Sequence, residues 1–567
     1  MISTKSRSRR PGAAPLAAAA LALAALDAPA QENPGELFRT SGRCIACHKG
    51  VFGPDGDDLS IGFDWRASMM ANSARDPYFQ AAVRREIMDY PNAAADIEGE
   101  CARCHMPMAS VAAAATGEIG QVFANLPVGG AGGEFADLAA DGVSCALCHQ
   151  IQPDGLGEEE SFTARFHIAG MASGSSSGAG AGDPNARALF GPFEPDAGGA
   201  GIMHSATGFE PRLGEHVTSS GFCASCHTVI TRPVRDGGTE TAFPEQSPYL
   251  EWLASDYAEG GFLERSCQDC HMPEVAEDVP VTMVLGQARP EVSRHVFRGG
   301  NFFMLRMLNR FRSELGVTAL PQELEIAAAR TADHLRTATV ELELVGVGVG
   351  EGRLEATVLV RNLAGHKFPT AYPSRRAWIR FAVMDADGNR VFESGAFAPD
   401  GSVAGDDHDL DGKDFEPHYD MIESSDQVQV YQGVMANAAG EITTGLMSAA
   451  SWTKDNRILP LGYDAASADS RTRPAGAATD DSDFLPGSDA VRYSVAVNPS
   501  SGPFRVEAEL WFQPIAYRWA ENLAEYDATE TDRFVGYYRE MAESSALVLA
   551  RVEGVVRQPE PARKMSM

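Results

Sequence analysis

The chain has 567 residues, 44% of them hydrophobic, and 47 lysines and arginines against 78 aspartates and glutamates, a formal charge of −31. This length allows roughly two to four domains with buried cores, and the hydrophobic fraction excludes a globally disordered chain. The acidic balance argues against a nucleic-acid partner and against attraction to anionic membranes, because both depend on lysine and arginine. Ten cysteines are too few for a disulfide-stapled scaffold, so their placement carries the functional information.

Residues 1–30 have the pattern of a secretory signal peptide. Four basic residues precede an apolar run over 13–26, and Ala28-Pro29-Ala30 fits a cleavage site. The run is shorter than the ~20 residues that span a bilayer, which argues against a membrane anchor. Cleavage leaves 43 basic and 77 acidic residues, a charge of −34. The sequence therefore predicts export to the periplasm or the outside of the cell.

All ten cysteines fall in five copies of C-x-x-C-H, the attachment signature of c-type haem. Two thiols at this spacing suit the two vinyl groups of one porphyrin, and the adjacent imidazole becomes the proximal ligand of the iron. Zinc sites, a thioredoxin-like redox pair and structural disulfides do not require a histidine after every pair. The sequence thus predicts five covalent haems. Their binding residues are Cys44, Cys47, His48, Cys101, Cys104, His105, Cys145, Cys148, His149, Cys223, Cys226, His227, Cys267, Cys270 and His271.

The second axial ligand of each haem iron separates electron transfer from catalysis. No free histidine precedes residue 167, so the first haem lacks a nearby candidate, and Met69 and Met70 are weighed there against a role in a helix core. His334 lies on a predicted helix and is interpreted as structural. The predicted distal ligands are His204, His216, His295, His366, His418 and His167.

The predicted elements change in character along the chain. Turn-rich segments with short helices surround the motifs in 31–300, and 170–182 is a Gly/Ser/Ala-rich surface loop. An apolar helix over 301–315, closed by Gly316, precedes a helix from Pro321 to about Thr337. Later segments alternate between turns and predict strands. The predicted strands are 339–347, 353–361, 377–384, 428–435, 491–497 and 504–512, and helices are predicted around 515–523 and 530–542.

These elements predict an α+β multidomain fold, in which a loop- and short-helix-rich pentahaem cytochrome c domain precedes a β-sandwich-like domain. The predicted domains are a signal peptide at 1–30, the pentahaem cytochrome c domain at 31–300, connecting helices at 301–337, the β-sandwich-like domain at 338–556 and a tail at 557–567.

Two segments of the predicted β-domain contain candidate ligands for haem or calcium. The turn at 365–370, with sequence GHKFPT, would project His366 toward the haem domain. Asp407, Asp409 and Asp411 have the D-x-D-x-D-G spacing of a calcium loop. The twelfth position is His418 instead of an acidic residue, so calcium is weighed against a solvated acidic loop, and His418 is also an alternative haem ligand.

The segments 141–149 (DGVSCALCH) and 266–273 (SCQDCHMP) resemble the cytochrome c superfamily that includes the tetrahaem electron acceptor of hydroxylamine oxidoreductase. The segment 365–370, followed by Pro373-Ser374-Arg375-Arg376, resembles a C-terminal β-domain of larger members. The resemblance implies low-spin, mostly bis-histidine haems in close stacked pairs. Five haems and a large appended domain depart from the family pattern, so the partner and the direction of electron flow do not carry over.

Electron transfer through five haems, by a carrier that is not itself an enzyme, is the predicted function, because five motifs within about 230 residues must lie close together. The acidic surface predicts a redox partner with a basic docking face. One alternative is an oxidoreductase in which one open-coordination haem acts on a small nitrogen or sulfur oxyanion. The other is a subunit of an extracellular cytochrome assembly, which would place the chain in an oligomer.

Overall fold

The computed structural model describes residue 1 and residues 37–130, 132–168, 187–234 and 242–557. The predicted signal peptide apart from Met1, the predicted loop at 170–182 and the predicted tail apart from residue 557 lie outside the described residues. The described residues from Phe38 onward belong to one compact unit, and the domain boundaries at 300 and 337 stay predictions. Within the described ranges, no helix is both long and apolar enough to cross a membrane.

Short helices carry the described part of 37–300. Five of the helices begin at proline or at a capping side chain, as in α3, where the Asp76 carboxylate accepts hydrogen bonds from the backbone N–H of Tyr78 and Phe79. The helices are α1 Ser41–Ile45, α2 Ile61–Arg66, α3 Pro77–Asp89, α4 Ala94–His105, α5 Pro107–Ala115, α6 Ala136–Ala140, α7 Cys145–Cys148, α8 Ala197–Thr207, α9 Ser220–His227, α10 Pro248–Leu253 and α11 Cys267–His271. Three two-stranded ribbons join them: β1 Ala188–Gly191 with β2 Glu210–Leu213, β3 Val229–Thr231 with β4 Phe243–Gln246, and β5 Val279–Pro280 with β6 Ala288–Arg289.

Two helices lie where the sequence predicts them. In α12, Phe302–Arg310, the apolar side chains are fully buried, and the Asn301 side chain caps the first turn by accepting from the Met304 N–H at 3.2 Å. This helix ends at Arg310 instead of residue 315, and Gly316 lies beyond it at a φ of +64°, which favours glycine. The second helix, α13, is Pro321–Ala338.

Two larger sheets lie in the described residues that follow α13. One has the order β13-β12-β9-β16-β17, with β10 paired to β9 and β14 to β12, and the other has the order β11-β15-β8-β7. The strands are β7 Val340–Gly350, β8 Arg353–Asn362, β9 Arg376–Met384, β10 Arg390–Ser394, β11 Met421–Ile422, β12 Val430–Asn437, β13 Ile442–Thr443, β14 Ala449–Asp455, β15 Ser488–Ala496, β16 Phe504–Gln513 and β17 Leu547–Val556. The helices among them are α14 Asp407–Leu410, α15 Tyr517–Glu521 and α16 Thr529–Met541.

Both sheets contribute side chains to one buried cluster. Residues of β8 alternate between buried and more exposed positions, as expected for a strand with one face on a core, and Phe381 of β9 stacks on Tyr493 of β15 with ring centres 3.9 Å apart. The combination of helices and sheets confirms the predicted α+β class.

The C-terminal elements pack directly on the segment that carries the motifs. The Arg84 guanidinium of α3 pairs with Glu530 of α16 at 2.8 Å, and Tyr78 packs edge-on against Phe534 with ring centres 5.1 Å apart. The turn at 365–370 makes its own contact with the motif segment, since the Lys367 N–H donates to Glu251 of α10 at 3.1 Å.

Candidate functional site: five motifs around one cavity

Each C-x-x-C-H segment lies at the end of a short helix. The helices α4, α9 and α11 end at the motif histidine, α7 ends one residue before it, and α1 ends before Cys47. Positions i, i+3 and i+4 share a helix face, so the thiols and imidazole of a helical motif point to one side. A capping box starts α11, because Ser266 Oγ accepts from the Asp269 N–H at 3.2 Å and Asp269 Oδ2 accepts from the Ser266 N–H at 2.7 Å.

All five motifs line one cavity of about 1560 Å³, larger than the ~300–1000 Å³ typical of a single small-molecule site. None of the ten cysteines, all of which lie in the described ranges, forms a disulfide. The cavity is also lined by His295, His334, His366 and Arg375. Paired thiols, histidines and a mostly apolar lining fit covalently attached porphyrins.

Four motif histidines share one hydrogen-bonding arrangement. Their Nδ1 atoms lie against backbone carbonyls, which only accept, so Nδ1 carries the proton and Nε2 keeps its lone pair for a metal. This arrangement is typical of metal-ligating histidines. The pairs are His48 with Val281 at 2.9 Å, His105 with Ser73 at 3.4 Å, His149 with Phe190 at 2.5 Å and His271 with Arg298 at 2.5 Å.

Burial favours the neutral form of four motif imidazoles, those of His105, His149, His227 and His271. It lowers the pKa of His105 and of His271 to about 4, and it also lowers the pKa of His149 and His227. Because the neutral imidazole is the form that binds a metal, these four histidines are ready to ligate at neutral pH.

Two motif histidines face a second histidine. The His295 ring centre lies 6.4 Å from that of His149, and the ring centres of His366 and His334 each lie 6.3 Å from that of His271. Two imidazoles bonded at about 2 Å on opposite sides of one metal have ring centres about 6 Å apart. The His366 Nδ1 donates to the Lys367 carbonyl at 2.9 Å, which leaves its Nε2 free as in the motif histidines.

The structure does not support the other predicted distal ligands. His167 and His204 are exposed and do not line the cavity, and His418 lies among aspartates of the β-sheet region. The His216 Nε2 donates to the Ile151 carbonyl at 2.9 Å, so it is directed at the backbone. His334 is only a helix residue in the sequence analysis. In the structure it lies beside His271 of the fifth motif, 63 residues away in the chain, and no local sequence pattern predicts this contact.

The motifs contact one another in a definite order. The thiols of Cys44 and Cys145 interact, which lowers the pKa of Cys44, so the first motif adjoins the third. The fifth adjoins the fourth, since the Cys267 N–H donates to Ser220 Oγ of α9 at 3.1 Å. Burial, followed by the proximity of Cys226, raises the pKa of Cys104 and raises that of Cys148 to about 12. The fourth motif therefore adjoins the second, third and fifth.

A buried ionic network holds the turn at 365–370. The Lys367 Nζ lies 2.6 Å from Asp455 Oδ2 with both side chains fully buried, and Asp455 also pairs with Arg457 at 2.8 Å. Glu251 of α10, between the fourth and fifth motifs, accepts from the Lys367 N–H at 3.1 Å and from Thr370 Oγ1 at 2.5 Å. The network fixes the backbone on either side of His366, and nothing in the local sequence pattern points to it.

Arg375 is a partly buried cation beside the fourth motif. Its Nη1 donates to the Thr370 carbonyl at 2.9 Å, and within the described ranges no carboxylate pairs with it. Burial alone lowers its pKa to about 10, and its charge contributes to the lowered pKa of His227. The arrangement provides a positive charge for an anion in this part of the cavity.

The predicted calcium loop does not converge on a cation. Asp409 pairs with the buried Arg376, Oδ1 to Nη1 at 2.8 Å and Oδ2 to Nη2 at 2.9 Å. Asp411 Oδ1 instead accepts from the Lys413 N–H at 3.1 Å, and the segment with Asp407 forms the short helix α14. A buried arginine therefore occupies the place beside Asp409 that a cation would take, and calcium at Asp407, Asp409 and Asp411 stays a prediction.

Five C-x-x-C-H motifs on one cavity are the arrangement typical of multihaem c-type cytochromes. A search of solved structures finds a similar fold in a penta-heme cytochrome c552 from Thermochromatium tepidum, with a TM-score of 0.53, 14% identity and coverage of 92% of this chain and 100% of that chain. At this identity the likeness shows the fold. No family model and no curated protein matches the chain.

Proposed function

We propose that the chain binds five c-type haems covalently and transfers electrons among them. The observation that carries the proposal is the set of five motifs on one cavity, with the Nε2 of four motif histidines left free by a carbonyl at Nδ1. Haem supplies one-electron chemistry when bound. The chain contributes ten thiols for thioether bonds, five proximal imidazoles and an enclosure of packed helices.

The contacts between motifs support a branched route for the electrons. The first motif adjoins the third, the third adjoins the fourth, and the second and fifth both adjoin the fourth. His295 opposite His149 and His366 opposite His271 are the proposed distal ligands, with His334 as the alternative to His366. The fourth motif is thus the proposed branch point.

Location and partners follow from charge and chemistry. We propose a periplasmic or extracellular carrier, since c-type haem attachment needs reduced thiols on an exported chain and the formal charge of −31 disfavours an acidic partner. The partner would be a redox protein with a basic face, and the two-sheet region, interpreted as β-sandwich-like, would be the docking module in a larger cytochrome assembly.

One observation favours a second candidate, an oxidoreductase for a small nitrogen or sulfur oxyanion. All thirteen histidines lie in the described ranges, and three of those outside the motifs line the cavity, fewer than five irons need. The fourth motif has no histidine ring facing His227 among the described ring contacts, and it has Arg375 beside it. An anion paired with this guanidinium would be a haem propionate in a carrier or a substrate in an enzyme.

Haem content and carbon monoxide binding test both candidates. The pyridine haemochrome assay and intact mass of the purified holoprotein are expected to give five haems per chain, all reducible by dithionite. Fewer than five haems, or zinc in their place, would contradict the proposal. A Soret band of the reduced protein that carbon monoxide shifts, and whose shift Arg375→Leu alters, would show an open-coordination haem beside Arg375 and favour the oxidoreductase. If carbon monoxide does not shift the Soret band, the oxidoreductase is rejected and electron transfer remains as the function.

The proposed ligand of the third haem gives a separate prediction. His295→Ala is expected to convert one of five haems from low-spin to high-spin in the electron paramagnetic resonance spectrum of the oxidised protein, because its ring is placed opposite His149 at 6.4 Å. His204→Ala is the matched control, since His204 is exposed and outside the cavity. An unchanged spectrum for His295→Ala, or an equal change in both variants, would show that His295 is not the ligand.

A further inference from the structure

A second cluster of ionisable side chains lies in the β-sheet region, and none of its members lines the haem cavity. His418 Nε2 lies 3.0 Å from Asp481 Oδ2 and 3.7 Å from Asp489 Oδ1. The ligand atoms of these three residues lie within 4.8 Å of one another, and so do those of Asp420, Asp481 and Asp483. Asp481 belongs to both groups and is the centre of the cluster.

Asp489 supplies a buried oxygen with no partner. The side chain is fully buried, and its Oδ2 accepts from the Tyr431 hydroxyl at 2.6 Å and from the Gln429 amide at 3.1 Å. Its Oδ1, which faces His418 and Asp481, has no hydrogen-bond partner, and burial raises the pKa of Asp489 to about 7. A buried carboxylate oxygen without a donor is costly, so this atom calls for a cation or a proton.

The charges around the cluster do not balance. Four carboxylates meet there, from Asp420, Asp481, Asp483 and Asp489, and Arg492 pairs with the first of them. Asp483 Oδ1 is a second buried oxygen without a partner.

The neighbouring Lys454 and His418 do not neutralise the excess negative charge of these carboxylates. The nearby Lys454 Nζ donates to the backbone carbonyls of Glu416 and Val430, each at 2.7 Å, instead of to a carboxylate. Burial lowers the pKa of His418 to about 4, so its imidazole is neutral.

The hydrogen bonds of His418 define its role. Its Nδ1 accepts from the side-chain amides of Gln429 at 2.9 Å and Asn456 at 3.1 Å. Both amides are oriented by the backbone, because Gln429 Oε1 accepts from the Tyr419 N–H and Asn456 Oδ1 accepts from the Gln432 N–H. The neutral ring therefore carries its proton on Nε2 and donates it to Asp481. His418 positions a carboxylate, and the oxygens are left to ligate.

We propose that the cluster binds one divalent cation of the oxygen-preferring class, calcium first among them. The site is centred on Asp481, with carboxylate ligands from Asp483 and Asp489 and with water in the remaining positions. Oxygens that share one Ca²⁺ at about 2.4 Å lie no more than about 4.8 Å apart, and the ligand atoms of Asp481 lie within this distance of those of Asp489 in one group and of Asp483 in the other. The ion would join the loop before β15 to the strand itself.

Titration of the holoprotein with CaCl₂ tests the site. After treatment with EDTA and desalting, calorimetry is expected to show one Ca²⁺ per chain, and CaCl₂ is expected to raise the Tm measured by far-ultraviolet circular dichroism. Asp489→Asn and Asp481→Asn should each weaken binding by a factor of ten or more. Asp483→Asn, at a half-buried position that tolerates change better, should also weaken it. Asp387→Asn, at an exposed turn, is the matched control and should bind as the wild type does.

Three results would overturn the proposal. The first is the absence of saturable binding with CaCl₂ and MgCl₂. The second is calcium binding that Asp481→Asn and Asp483→Asn leave unchanged. The third is binding of ZnCl₂ alone, abolished by His418→Gln, which would replace oxygen ligation by a histidine-centred site.

Discussion

Replacing Cys223 and Cys226 by alanine is expected to lower the haem content from five to four and to divide the remaining haems into groups that exchange electrons slowly. The fourth haem is expected to connect the others, because the fourth motif adjoins the second, third and fifth motifs. Without it, the pair formed by the first and third motifs separates from the second and from the fifth. Stopped-flow reduction by dithionite, followed in the Soret region, is expected to change from nearly uniform kinetics to clearly separated phases.

The matched control removes a haem at the end of the route. Cys44→Ala with Cys47→Ala also lowers the haem content to four, but the first motif adjoins only the third among the thiol contacts of the described residues. The remaining four haems stay connected, so reduction should remain nearly uniform. Equal kinetics in both double variants would contradict the branch point. If the fourth-motif variant does not mature, His227→Met retains the thioether bonds and reports the same position through its changed potential.

The sequence predicts those parts of the site that depend on neighbours in the chain. A thiol pair and its imidazole occupy five consecutive residues, so the five motifs are visible without a fold. The helix at Pro321 and the strand at β8 are equally local, because a proline start and a period-two pattern report burial on one side.

Contacts between distant residues are what the sequence does not supply. His366 and His334 meet His271 from separate elements, β8–β9 and α13, and His418 is surrounded by aspartates from 481–489. The local sequence around these three histidines does not distinguish their roles. It does not show which one is a haem ligand, which one lies beside a ligand and which one pairs with a carboxylate. The sequence around Asp409 likewise does not reveal its partner, because the cation that pairs with this carboxylate is Arg376, which lies on β9.

Asp455→Asn is expected to destabilise the protein by about 3–5 kcal/mol and to disturb the spin state of the fifth haem. The substitution leaves Lys367 and Arg457 as buried cations, of which only Arg457 keeps a second carboxylate, Glu251 at 3.2 Å. The turn that carries His366 would lose its main ionic anchor. Urea unfolding followed by circular dichroism measures the first effect, and a high-spin signal for about one haem of five reports the second.

The pH dependence of stability and a control at a surface ion pair distinguish the loss of the Asp455 ion pairs from nonspecific destabilisation. The two cations hold the pKa of Asp455 well below its usual range, so its stabilisation is fully present above the unfolded pKa of about 4 and is lost as the pH falls toward the folded value. The difference between wild type and variant should therefore shrink below about pH 4. Glu343→Gln, which removes an exposed pair with Arg361, should cost about 1 kcal/mol or less and leave the haem spectrum unchanged. A loss of stability with an unaltered haem spectrum in Asp455→Asn would show that the network supports the fold without positioning His366.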